Sequence, residues 1–422
     1  LFNGTEQFPE NELVDTLRSF GAAFGADVNA YTTFDETVYT LTVPNAPESV
    51  ETGLNVLEQW LSHATFEEAQ IVAERGVVLD EWRVRTQGTQ GRLFDVAQEL
   101  YLSGTPYEDR APIGTEDSIA SMPRDVLTGY YDTWYRPGNA AIVVVGDIVV
   151  DEVAADIERL FGPAEPLTGV APPRPDTSFD LDVEPDVGLH VDPDQQTVDV
   201  EVTLPLPANG STGTLGVRAQ LVDAMVYDVL VRRLRQDLAA GSAPFDDVTR
   251  GSNSIVGTLD APALYAFTDA DRADATLIAL LDEYERAFRF GFTAEETDLA
   301  RDTIRSVFDS RFDGRDSNQD SDYAGTLVEA FLDGSSYPSI PDEYEIATSI
   351  LDQVTPEELA SRFAARWTNS APHVIISSPD TVADRIPTEA EVIAAIESTP
   401  TRDVAPRGAS RDLPDALMAR PE

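Results

Sequence analysis

The sequence has no cysteine and no lysine. Without cysteine there is neither a disulfide framework nor a thiolate metal site, and the compartment stays open, because cysteine avoidance suits cytoplasmic and exported proteins alike. Without lysine, all 29 basic residues are arginine, a planar donor that stays charged. Histidine is scarce: His63, His190 and His373 are the full set, and none stands in a spaced metal-binding pair. Each therefore reads as a structural residue. Long apolar runs are missing as well. The longest, near Ala140–Val145, falls far short of the roughly 18 residues that a helical membrane span requires. Neither a starting Met nor a charged–apolar–small targeting pattern precedes Leu1, so further native sequence upstream is expected.

What is abundant is acid. Asp and Glu number 76, and the net charge over 422 residues is −47. The acidic residues are spread through helices and turns rather than gathered in a tail. Such a surface repels nucleic acid and anionic membrane, which excludes both as expected partners. It reads first as a solubility feature of an acid-rich, arginine-biased chain. With 42% hydrophobic residues, the composition is globular and long enough for two or three domains.

Periodicity divides the chain into two units. In the first, residues 10–25 read as a helix with Leu13, Leu17 and Phe20 at helical spacing. Asp27–Tyr31 and Thr37–Val43 read as strands joined by a short turn. Pro47–Leu61 is a second helix, and a third runs from about Glu67 to Arg85. Pro123 opens another helix, Ala140–Val145 is expected as a strand covered on both faces, and Asp151–Phe161 closes the unit. Residues 1–162 form this first domain, 163–178 a proline-rich linker, 179–398 a second domain and 399–422 a linker or tail. The second unit repeats the order of parts: strands at Val198–Leu204, Ser252–Thr258, Leu264–Thr268 and His373–Ser377, and helices at Val217–Leu238, Ala273–Arg289, from Thr293, and at Glu389–Ile396. The expected class is α+β, two homologous-looking units, each a mostly antiparallel sheet packed against helices.

The candidate site lies in Glu74-Arg75-Gly76-Val77-Val78-Leu79-Asp80-Glu81-Trp82. Glu74 and Glu81 are two turns apart on one helical face. The apolar Val77–Leu79 run between them implies that part of this helix is buried, and a carboxylate on a partly buried helix needs a partner, of which a metal ion is one. By spacing alone the pair marks a solvated face as readily as a site. The internal repeat adds a control. Phe66-Glu67-Glu68-Ala69 has its counterpart in Phe292-Thr293-Ala294-Glu295; aligning Glu68 with Glu295 sets Arg301 against Glu74 and Phe308 against Glu81, and aligning the two phenylalanines sets Ala300 and Val307 there. The second unit lacks both acids. Its Arg232, Arg233 and Arg235 form a basic run that reads as a solvated helix face.

Five segments, in order, carry a resemblance: Leu1-Phe2-Asn3-Gly4-Thr5; Asn29-Ala30-Tyr31-Thr32; Glu74 through Trp82; Tyr107-Glu108-Asp109-Arg110-Ala111-Pro112-Ile113-Gly114-Thr115; and Tyr135-Arg136-Pro137-Gly138-Asn139-Ala140 with Gly146-Asp147. Together they resemble the pitrilysin–insulinase family of zinc metallopeptidases, most of all the N-terminal half of long bacterial exported members. The resemblance implies a zinc-dependent endopeptidase acting on peptides or proteins. It implies Glu81 as the third zinc ligand, Glu74 as an outer carboxylate that orients the site, and Asn29, Ala30 and Tyr31 on an edge strand to which substrate adds. In the family the segment like Leu1–Thr5 directly follows His-x-x-Glu-His, which supplies two histidine ligands and the general base. The chain holds no such motif, so Zn2+ is expected only in the full-length protein, and the 422 residues as they stand should be inactive. A second C-terminal half or a homologous chain is the expected partner that closes the substrate chamber. The resemblance favours a periplasmic or extracellular location. The alternative is a non-catalytic subunit or peptide-binding scaffold of the same family, although such a chain would have no reason to keep both glutamates.

Overall fold

The computed structural model describes residues 2–10, 12–23, 25–163, 184–208, 210 and 212–407. The first unit runs α1 (Glu12–Ser19), β1 (Val28–Thr32), β2 (Thr37–Leu41), α2 (Pro47–Ser62), α3 (Glu68–Gln87) and α4 (Thr89–Leu102). It continues through α5 (Glu116–Ser121), α6 (Arg124–Trp134) and α7 (Val150–Phe161). Its core gathers Leu13 and Leu17 of α1, Val28 of β1 and Val56 and Trp60 of α2. α1 shows why the local sequence folds this way: Leu13 and Leu17, one turn apart, are its two fully buried side chains, and the remainder is polar apart from the half-buried Val14.

The second unit opens with β3 (Asp186–Val191), β4 (Val198–Thr203), the short β5 (Leu206–Pro207) and the long α8 (Gly213–Ala239). β6 (Asp247–Ser252), the short β7 (Leu259–Asp260) and β8 (Pro262–Thr268) follow, then α9 (Ala273–Phe290), α10 (Ala294–Asp313), α11 (Asp320–Asp333), α12 (Ile340–Leu351) and α13 (Pro356–Asn369). β9 (His373–Ser378) and α14 (Glu389–Ser398) complete it. The five-stranded sheet has the order β3-β9-β4-β8-β6. Only β3 and β9 are parallel; the other pairs are antiparallel. Every residue of β9 is buried, as a strand paired on both sides, between β3 and β4, and covered on both faces requires.

The α+β class and the two units match the sequence expectation. Three details differ. The first unit's only ladder among the described residues is the β1–β2 hairpin. Ala140–Val145, expected as a strand covered on both faces, makes no ladder and stays half-buried to exposed, because a strand needs a neighbour to take its main-chain groups and the hairpin does not supply one. The strand expected at Ser252–Thr258 sits earlier, as β6, and β3, α4, α5, α11, α12 and α13 are additional to the elements expected. From residue 164 onward the linker expected at 163–178 lies outside the described residues, as does 408–422 of the expected tail.

Residues 399–407 are not loose. Arg289 donates to the Pro400 and Arg402 carbonyls (2.7 and 3.0 Å), and Arg286 donates to the Ala405 carbonyl (2.9 Å). Arg407 pairs with Asp237 (2.6 Å) and reaches the buried Glu283. Glu283 is also bound by Arg233 (3.2 Å), which in turn holds Glu296 (2.6 Å) and the Gly291 carbonyl (2.9 Å). The basic run expected on a solvated face is therefore partly interior. Arg233 is only 4% exposed, because α8 is the central helix of this unit and two acids on neighbouring helices meet it. Removing one member of a buried ionic cluster strands the others without compensation. Arg233→Ala should lower unfolding free energy by about 3–5 kcal/mol, read as a fall in urea midpoint.

Candidate functional site

α3 carries both glutamates. No residue of this 20-residue helix is buried, and Val72, Val77 and Val84 are 57%, 59% and 79% exposed. The partial burial expected from the Val77–Leu79 run is not met: Val78 and Leu79 are only half-buried. The helix follows Phe66, whose backbone is left-handed at φ 51°, an uncommon conformation for a bulky residue that the surroundings must enforce. Arg124 donates to the Phe66 carbonyl (2.7 Å), and the Phe66 ring packs edge-on against Tyr131 at 5.1 Å.

The two acids have different surroundings. Glu74 accepts a hydrogen bond from Asn3 Nδ2 at 2.6 Å, which ties the start of the described chain to α3. Glu81 pairs along its own helix with Arg85 at 2.7 Å, both side chains well exposed. Beside Glu74, a cleft of about 350 Å³ opens between α3 and the α5–α6 region, lined by Asn3, Phe66, Ile71, Glu74, Val78 and Met122 among others. Asn3 was quoted in the sequence as part of a motif but not as a site residue; nothing short of the fold places it against Glu74. Arg85 was legible, since a basic residue four positions after Glu81 is a helical ion-pair spacing.

The strand residues lie on β1. Thr33 N–H donates to the Glu36 carbonyl and Thr42 N–H to the Asp27 carbonyl. By alternation, the odd-numbered residues of β1 turn their main chain toward β2, and Val28, Ala30 and Thr32 turn theirs outward. The outward groups of Val28 bond Ala23 and Gly25. Ala30 N–H donates to its neighbour's Asn29 Oδ1 at 2.9 Å. Of the three expected residues, Ala30 thus offers outward main chain, while Asn29 and Tyr31 offer side chains. The Tyr31 hydroxyl pKa is raised by burial, by Glu36 and by Glu329 of α11, so the second unit reaches toward this edge. No hydrogen bond or ion pair joins Asn29, Ala30 or Tyr31 to Glu74 or Glu81.

Among the described residues no group of three or more His, Asp or Glu side chains is placed to hold a metal ion. A catalytic zinc normally takes three protein ligands. Glu81 offers one carboxylate, so the residues present do not by themselves compose a zinc site. The histidines do not add to it. His63 caps α2 and bridges Glu6 (3.2 Å) and Glu58 (3.1 Å), and His190 and His373 are buried in β3 and β9.

Comparison with known proteins gives the family. Residues 1–109 match the family description Insulinase (Peptidase family M16), and residues 121–304 match Peptidase M16 inactive domain. The chain belongs to the M16 peptidase family. Among its relatives, the probable zinc protease PqqL of Escherichia coli K12 is 26% identical over 86% of this chain and 39% of its own length. The zinc protease PQQL-like protein of Arabidopsis thaliana is 25% identical over 99% of this chain and 41% of its own. The chain thus spans about two fifths of the curated relatives it matches. In fold, it superposes on the crystal structure of the first half of the periplasmic protease PqqL from Escherichia coli with TM-score 0.88 at 24% identity, covering 97% of this chain and 87% of that one. The structure of the whole PqqL protease gives TM-score 0.89, with this chain covering 47% of it.

This M16 chain controls the direction of α3 at its junction with α4. A Cβ at Gly91 would lie 1.8 Å from the Arg85 carbonyl oxygen and 2.7 Å from its carbon. That is main chain, which cannot swing aside. Gly91→Ala should force the two helices apart at the turn after Glu81, costing about 1–3 kcal/mol, measured by thermal unfolding.

Proposed function

We propose that this chain supplies the outlying carboxylate ligand and the substrate-binding strand of a zinc-dependent peptidase acting on peptides or proteins. The observation that carries the reading is the contrast between α3 and α10. Counted from the helix starts, the second unit has Ala300 and Val307 opposite Glu74 and Glu81, and counted from Glu68 and Glu295 it has Arg301 and Phe308; neither setting puts a carboxylate there. Arg301 spends its donors on the Leu351 and Val354 carbonyls (2.7 and 2.8 Å), a packing role. Glu74 and Glu81 face outward and pack nothing. A fold that stands without the acids in one unit and exposes them in the other keeps them for a ligand.

In this reading Glu81 exchanges Arg85 for a metal ligand's role, and Asn3 fixes one oxygen of Glu74 so that the other is oriented toward the ligand set. The two histidines and the general base come from outside these 422 residues, on an element seated in the apolar cleft beside Glu74. Zinc bound there would supply a water of lowered pKa and polarise the scissile carbonyl. The substrate adds along β1 through the main chain of Ala30 and Thr32, with the Asn29 side chain releasing the Ala30 N–H to the incoming strand. A second half, or a homologous chain, closes the chamber over it, and the setting is periplasmic or extracellular; the PqqL protease of Escherichia coli is periplasmic. One observation favours the other reading, a peptide-binding subunit without catalysis: the Glu81–Arg85 pair is already satisfied.

Elemental analysis and peptide cleavage separate the two. The 422-residue chain should hold no stoichiometric zinc and cleave nothing. Lengthened by its native upstream coding sequence, it should carry His-x-x-Glu-His, bind about one zinc per chain and hydrolyse peptides. In that longer protein, Glu74→Gln should reduce activity by about 10–100-fold, and Glu81→Gln should lose the metal. An upstream sequence without the motif, or zinc retained by Glu81→Gln, sinks the peptidase reading.

A further inference from the structure

The two units meet around α4. At its first turn, Arg92 pairs with Asp192 and with Asp194 (2.8 Å), just beyond β3. Midway, Val96 and Leu100 close on Gly188 of β3, where an added Cβ would lie 2.6 Å from the Val96 side chain. At its last turn, Tyr101 enters a buried polar cluster of the second unit. Its hydroxyl donates to Thr203 Oγ1 (2.9 Å) and reaches Glu201 Oε1 (3.2 Å), both on β4. Thr203 also donates to Glu201 Oε1 (2.9 Å), and Asn253, in the segment after β6, donates to the same oxygen and to the Tyr101 hydroxyl (3.2 Å).

Glu201 is 7% exposed, and no arginine reaches it among the described residues. Buried acids ordinarily have a cationic partner or give up their charge. The groups that hydrogen-bond it are neutral. Tyr265 of β8, opposite Glu201 in register, donates to Asn253 Oδ1 (2.9 Å). Ile375 of β9 faces it from the other side. His373 of β9 stacks on Tyr101 at 5.6 Å, and burial lowers its pKa, so it brings no charge at neutral pH. Asp199, two residues along the same strand, is engaged by Gln195 and Thr197 (2.7 Å each).

We propose that Tyr101, Glu201 and Asn253 form a proton-controlled joint between the two units, closed while Glu201 is neutral and loosened when it ionises. The joint sits in the apolar cluster of Leu100, Leu102, Tyr107, Val256, Leu259 and Ile375, where residues of both units pack together. Phe34, at the tip of the β1–β2 hairpin, packs against the same cluster, and Tyr107 donates to Asp35 (2.9 Å) at that tip. Loosening the joint therefore reaches the hairpin as well as α4.

The direction of the pH effect follows from linkage. Burial outweighs the three donors and raises the Glu201 pKa from 4.5 to about 7. A carboxyl that holds its proton more tightly in the closed state strengthens closure at low pH. That advantage shrinks as pH rises from about 4.5 and is gone above about 7. The other end of α4 behaves oppositely: the Arg92 guanidinium holds Asp192 well below the usual carboxylate range, so that contact persists from mildly acidic pH upward.

Hydrogen exchange read by mass spectrometry, on peptides covering residues 93–103 and 250–256 and corrected for the intrinsic pH dependence of amide exchange, tests the joint. Protection in both peptides should fall by on the order of 10–100-fold between pH 5 and pH 8, while peptides from α9 stay constant. Glu201→Gln should lose the fall in protection between pH 5 and pH 8. Tyr101→Phe removes a donor that favours the ionised form, so its midpoint should move upward. Equal pH dependence in the wild type and Glu201→Gln, or an unmoved midpoint in Tyr101→Phe, overturns the proposal. Unfolding of Glu201→Gln would leave the Tyr101→Phe midpoint as the deciding result.

Discussion

The clamp between Arg92 and Asp192 sets where the first unit sits on the second. Asp192 is fully buried and Arg92 holds it through two nitrogens, a bidentate geometry that fixes orientation as well as distance. α4 is therefore registered along β3 at its start, and Gly188 lets it lie flush on the strand. Because α3 runs into α4 with no room at Gly91, that registration passes to the helix bearing Glu74 and Glu81. The direction of an exposed helix is thus set by a pair whose acid, Asp192, is buried in the neighbouring unit.

α3 and α10 show what the same architectural position can be used for. α10 has a capping box at Thr293 and Glu296 and buries Thr297, Ala300 and Ile304. α3 has no side-chain cap, follows a strained Phe66 and buries nothing. Burial of apolar side chains normally supplies most of a helix's stability in a protein, so α3 is held by its ends and by Arg75, which donates to the Met122 carbonyl.

Much of this was legible in the sequence where the signal was local. Leu13 and Leu17, the strands flanking Thr33–Glu36, Pro47 at a helix start and the apolar His373–Ser377 run all announced themselves through period or turn chemistry. Failures came where the outcome depends on partners far along the chain. Ala140–Val145 is apolar enough for a central strand, yet no neighbouring ladder receives it. Val77–Leu79 suggested burial, yet α3 has a cleft rather than a packed neighbour on that side. Arg233 looked like one of a solvated trio, and only the arrival of Glu283 and Glu296 from other helices makes it interior. In the candidate site, Glu74 and Glu81 were singled out by the family resemblance and the repeat, since spacing alone marks a solvated face as readily, whereas Asn3 on Glu74 and the outward turn of Ala30 required the fold.

The all-arginine inventory has a consequence for endurance. In most proteins a rise into strong alkali neutralises lysines and dissolves their ion pairs. Here every cation in the Arg233, Arg286 and Arg407 cluster around Glu283 keeps its charge far beyond that range. Alkali thus finds no cation to discharge in this interior knot.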